Sequence, residues 1–159
     1  MRRFQIAAVV AAVAATVASV ALLPRAAEGA TASANFQVQA TVIPQCAISA
    51  TALNFGNYDP NAAAPTAGTS TITLTCTRNT GYSVALSAAS GFAMSNGAGN
   101  SINYSLFQPN GTTPWTTTPV AGVAPSRAPI PLTVNGSIAA GQDVPVGSYT
   151  DTVVATVTF

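Results

Sequence analysis

The chain has 159 residues, 48% hydrophobic and only 6% charged, with a formal net charge of +1. From residue 33 onward the charged side chains are Arg78, Arg127, Asp59, Asp143 and Asp151, so the formal charge there is 2 − 3 = −1, with no Lys, His or Glu. No cationic cluster exists for phosphate, which excludes nucleic acid as a partner, and no His, Lys or Glu exists to serve as general base or activated nucleophile, which argues against an enzyme.

The beginning of the chain reads as a secretory signal. Arg2 and Arg3 form a positive start, Ile6 to Leu23 is apolar or small, and Pro24 ends the run. Ala30-Thr31-Ala32 and Ala32-Ser33-Ala34 both fit the small-x-small cleavage rule, and cleavage after Ala32 is favoured, giving a signal peptide over 1–32. An uncleaved membrane anchor is the competing reading, since the apolar run approaches the lower limit of a spanning helix.

Beyond it nearly every segment alternates with the two-residue period of a strand. An arm, residues 33–43, places Phe36, Val38, Ala40 and Val42 on one side and Gln37, Gln39 and Thr41 on the other, and Pro44 ends it. Residues 47–55 carry Leu53 and Phe55 on one face, and 56–68 is a loop rich in Asn, Ala, Pro and Gly. Residues 69–77 set Ile72, Leu74 and Cys76 against Thr71, Thr73 and Thr75. Tyr82, Val84 and Leu86 line the next strand, then Ile102, Tyr104 and Leu106, then Ile130, Leu132 and Val134. Residues 108–119 are turn-rich and hold the single Trp, Trp115, read as a packing residue, with a sugar-binding platform as the alternative. The last strand, 148–159, alternates Val153, Ala155, Val157 and Phe159 with Thr152, Val154, Thr156 and Thr158 and runs to the final residue.

No stretch after residue 32 shows helical periodicity, and short strands separated by turns indicate an all-β sandwich over 44–159. Apart from the arm the pattern gives six strands, one fewer than an immunoglobulin constant-type sandwich. A sandwich short of one strand exposes a groove of core residues and an open sheet edge. Cys46 and Cys76 form one disulfide, as a cysteine pair in an exported chain does. Two thiols without His are too few ligands for a metal, and no cofactor is expected.

The phrases "FQVQATVIPQC", "LNFGNY", "ITLTCTRNTGYSVAL" and "GSYTDTVVATVTF", in this order, resemble the spore coat protein U domain family, which includes the major subunits of Csu-type (archaic) chaperone–usher pili. Gly147, Tyr149, Asp151 and Phe159 fit that family's closing pattern. Two features depart from it: Ala40 is small where a larger apolar residue is common, and 125–131 is unusually rich in proline.

The resemblance implies an incomplete immunoglobulin-like sandwich that is completed by strand addition, first by a periplasmic chaperone and then by the arm of the next subunit. It casts Phe36, Val38, Ala40 and Val42 as the donor strand and Val153, Ala155, Val157 and Phe159 as the acceptor edge. The implied partners are neighbouring copies in a homopolymer, the chaperone and an outer-membrane usher. The implied route is export through the periplasm to a fimbrium that supports adhesion and biofilm formation. The alternative is a secreted, self-contained spore or cyst coat protein. Burial of Phe36 and the two valines in a groove contributes roughly 5–8 kcal/mol, less the entropy of ordering the arm. The opposing reading makes the arm the first strand of its own sandwich.

Overall fold

The computed structural model describes residues 29–116 and 118–159, so most of the signal segment expected over 1–32 lies outside the described residues. The described part of the leading unit, residues 29–39, has no assigned strand, and Phe36 (86%) and Val38 (80%) are exposed.

The body, Ala40–Phe159, is all β among its described residues. Its strands are β1 (Cys46–Ala50), β2 (Thr66–Cys76), β3 (Gly81–Ala88), β4 (Ala93–Ser95), β5 (Ser101–Phe107), β6 (Val120–Val123), β7 (Ile130–Ile138) and β8 (Val153–Thr158). They form a five-stranded antiparallel sheet ordered β1-β2-β7-β5-β4 and a three-stranded one ordered β6-β3-β8.

Period-two alternation produces the sandwich directly. Ile72, Leu74 and Cys76 on β2, Ile102, Tyr104 and Leu106 on β5, and Leu132, Val134 and Ile138 on β7 are buried on one face of the large sheet. Val84 and Leu86 of β3 oppose them from the small sheet, and the intervening Thr and Ser positions of the large sheet's strands stay outside the core. Trp115 is fully buried and joins the two layers: its Nε1 donates to the Val84 carbonyl of β3 at 2.9 Å, and its backbone N–H donates to the Leu106 carbonyl of β5 at 2.8 Å. It is therefore a core residue, and the sugar-platform alternative falls.

The expectation of six strands is corrected to eight among the described residues. The six correspond to β1, β2, β3, β5, β7 and β8. The added ones, β4 and β6, are three and four residues long and lie where Gly and Asn suggest loops or where the alternation is too brief to register. The strand expected over 47–55 stops at Ala50. The Thr51 backbone N–H still donates to the Thr71 carbonyl at 3.0 Å; after that the chain leaves the ladder, and Leu53 and Phe55 turn onto the inner face of the large sheet. Glycines make room for them. A β-carbon on Gly136 would stand 2.8 Å from Phe55 Cζ and 2.9 Å from Leu53 Cδ1, and one on Gly68 would stand 3.0 Å from Phe55 Cδ1. The last strand is also shorter than its alternation suggests, beginning at Val153 after an isolated bridge between Thr150 and Ser95.

Cys46 and Cys76 form the expected disulfide. They are directly opposed in the β1–β2 ladder with Cα atoms 4.1 Å apart. Thr77 continues the attachment, its backbone N–H donating to the Gln45 carbonyl at 2.8 Å. The first residue of β1 is thereby fixed to the end of a central strand.

Candidate functional site: an open groove beside β8

β8 pairs with β3 along one edge, Ser83–Ala88 against Val153–Thr158, and its other edge has no strand partner among the described residues. Beside that edge the sandwich is open. A cleft of about 510 Å³ runs between Val153 and Ala155 on one wall and the extended segment Ala50–Phe55 on the other. Its floor is the core itself, including Ile72, Leu86, Leu106 and Val134. These floor residues are themselves buried, and the apolar surface that meets solvent lies along β8, at Val153, Val154 and Phe159.

β8 follows from its composition. Val153, Ala155 and Val157 form the inward row and Val154, Thr156 and Thr158 the outward one, β-branched residues suiting a pleated strand. Ala155 and Val157 are half-buried against the core. Val153 is 37% exposed and Phe159 52% exposed, values that suit neither a covered core strand nor an ordinary polar edge. Of the four residues expected at the acceptor edge, Val153 and Ala155 line the cleft, Val157 packs further along, and Phe159 stands open. Of the four expected donor residues, Phe36, Val38 and Val42 are each at least 80% exposed, and Ala40 is exposed as well.

One end of the cleft is closed by polar groups. Thr150 and Ser95 exchange two backbone hydrogen bonds, at 2.9 and 3.0 Å. Next to them the Asp151 carboxylate accepts hydrogen bonds from the Tyr104 hydroxyl at 2.6 Å, the Ser90 hydroxyl at 2.5 Å and the Thr152 backbone N–H at 2.8 Å. Tyr104 lies on β5 of the large sheet and Ser90 just after β3 of the small one, so a single carboxylate ties the two layers. The Tyr104 ring is held between Phe55 and Phe92, with ring centroids at 6.1 and 5.8 Å.

Burial pushes the Tyr104 hydroxyl well above its ordinary value, and its hydrogen bond to Asp151 and the carboxylate's charge push the same way. For Asp151, burial raises the carboxyl, but the bonds from Ser90, Tyr104 and Thr152 outweigh it and leave it below its ordinary value of 3.8. A depressed carboxyl contributes stability above the unfolded-state pKa and loses it as pH falls through the lower folded value. The denaturant midpoint is therefore expected to drop below about pH 4. In Tyr104→Phe the Asp151 share of that drop becomes shallower, because one of the depressing bonds is gone. Midpoints measured from pH 6 to pH 2 in both proteins check this; identical acid slopes would contradict it.

Sequence reasoning read the alternating row of β8 but missed the facing segment Ala50–Phe55 and the polar end. The wall was hidden because 47–55 reads as one strand. Asp151 carried a usable signal: it is two residues before Val153, on the same side of the alternation.

Comparison with known proteins adds three findings. Residues 32–156 match the Spore Coat Protein U domain. The chain is 37% identical to Protein U of Myxococcus xanthus over 177 residues, covering 94% of this chain and 96% of that one. Its structure resembles a chain in the CsuC–CsuE chaperone–tip adhesion subunit pre-assembly complex from the archaic chaperone–usher Csu pili of Acinetobacter baumannii, with a TM-score of 0.53 and 26% identity. That match covers 75% of this chain and 40% of the solved one, so this chain spans well under half the length of that relative.

Proposed function

This chain belongs to the Spore Coat Protein U domain family, and from that premise we propose that it is a structural subunit of a surface pilus, exported through the periplasm and assembled by donor-strand exchange. The observation that carries the reading is the open groove: a cleft beside a β8 edge that has no strand partner among the described residues, with Val153, Val154 and Phe159 exposed along it. The arm supplies what such a groove takes. Phe36, Val38, Ala40 and Val42 step along one side of an extended segment about 6.5–7 Å apart, a spacing at which side chains fill successive positions between two walls.

In this reading residues 33–43 are the donor arm and 44–159 the acceptor domain. Val153, Ala155, Val157 and Phe159 form the receiving edge. A periplasmic chaperone covers the groove before an outer-membrane usher hands the subunit to the growing homopolymer. The solved relative, a chaperone bound to a pilus subunit, supports this order of partners. Adhesion and biofilm formation are the roles of the resulting filament. The family is one of structural proteins, and catalysis forms no part of the proposal.

A second reading has its own support. The near full-length match to Protein U of Myxococcus xanthus favours a coat protein whose arm stays with its own domain. Deleting residues Asn35–Val42 separates the two. A pilin loses its heat-resistant polymers, seen as the disappearance of high-mass species on gels of unboiled protein. Polymers that persist unchanged would refute donor exchange.

A further inference from the structure

The inward row of β8 is apolar only from Val153 onward. Val153, Ala155, Val157 and Phe159 share one side of the alternation, and the preceding position on that side is Asp151. Its side chain does point inward, since it reaches Tyr104 on the opposite sheet at 2.6 Å. Two residues of extended chain span roughly 6.5–7 Å, so the carboxylate stands one side-chain position beyond Val153 at the end of the cleft. Three hydrogen bonds satisfy most of its acceptor capacity and hold it in place. The arm has a matching count: Phe36, Val38, Ala40 and Val42 are its apolar row, followed by Pro44.

Resting on the donor-exchange reading above, we propose that Asp151 is the register stop of the groove, fixing where along β8 a second copy's arm comes to rest. A slip by one residue turns the whole apolar row away from the core and excludes itself. A slip by two keeps the row facing inward and is the error that must be prevented. Toward Phe159 it pushes an apolar side chain out past the last inward residue. Toward Asp151 it sets hydrocarbon against an ionised carboxylate, stripping water from a charge whose protein partners are already fixed. Valine at this position would extend the apolar row by one place and remove that barrier.

The test uses polymers of the full mature chain carrying a photo-cross-linking phenylalanine analogue at position 36, with the linked acceptor residue read by mass spectrometry. In the wild type the label is expected to mark one window of the groove walls, with a window two residues away less than about one-tenth as abundant. In Asp151→Val the two windows become comparable, whereas Asp151→Asn, which keeps a polar group of the same shape, retains the single window. Should Asp151→Val fail to fold because Tyr104 and Ser90 lose their partner, the triple variant Asp151→Val/Tyr104→Phe/Ser90→Ala removes the orphaned hydroxyls and takes its place. A single unchanged window in the valine variants overturns the register stop while leaving donor exchange intact. Absence of any intermolecular link to the groove walls in the wild type overturns the register stop together with its premise.

Discussion

Trp115→Ala is expected to lower the unfolding free energy by about 3–5 kcal/mol, a large share of the stability of a small domain. Trp115 is fully buried and contacts both layers through hydrogen bonds to Val84 and Leu106. Truncation to alanine opens a cavity between the sheets and removes the indole donor from the Val84 carbonyl. Both costs fall where the sandwich has least redundancy, because the small sheet has three strands among the described residues and both outer ones, β6 and β8, are unpaired along an edge. Trp115→Phe retains most of the ring volume and loses the hydrogen bond, so its expected cost is about 1–3 kcal/mol. Urea denaturation of the oxidised protein gives both values. A loss under 1 kcal/mol for the alanine variant would show that the indole does not join the layers.

Removal of the disulfide by Cys46→Ser/Cys76→Ser is the second large effect. The bridge closes a loop with a sequence separation of 30 residues, for which the chain-entropy relation gives roughly 3.6 kcal/mol. Its position adds a mechanical consequence. β1 is an edge strand of five residues with only β2 as a ladder neighbour among the described residues, so it is open to peeling. The bridge pins its first residue to the last residue of β2, next to the Thr77–Gln45 backbone bond. Without it, β1 is expected to lose amide-exchange protection before β2, β5 and β7 do. Thermal and urea unfolding of wild type and double variant measure the energy, and hydrogen exchange at residues 46–50 measures the fraying. A change under 1 kcal/mol with β1 protection intact would contradict this account.

Much of the sandwich was legible because alternation survives wherever one face is buried. Ile72-Leu74-Cys76, Ile102-Tyr104-Leu106 and Val153-Ala155-Val157 announce their strands and their inward faces together. The disulfide was legible from cysteine number and the expected export. What escaped is what packing decides locally. β4 and β6 are too short to show a period. The turn of Leu53 and Phe55 onto the inner face depends on the absence of β-carbons at Gly68 and Gly136, far along the chain from the residues that exploit it. The polar end of the groove depends likewise on Tyr104, Ser90 and Asp151 meeting from three separate segments. The exposed edge of the groove had a sequence trace in the alternation of Val153, Ala155 and Val157, but its facing wall had none.

The account depends on a fold that lacks one strand and accepts it from outside. Thermal melting of protein without residues 33–43, in the presence of a synthetic peptide of that sequence, probes this most directly. The peptide is expected to raise the melting temperature by about 10 °C at a hundredfold excess over its dissociation constant, whereas a peptide with Phe36 and Val38 replaced by Asp does not. A shortened protein that melts at the same temperature with and without the peptide would contradict the account.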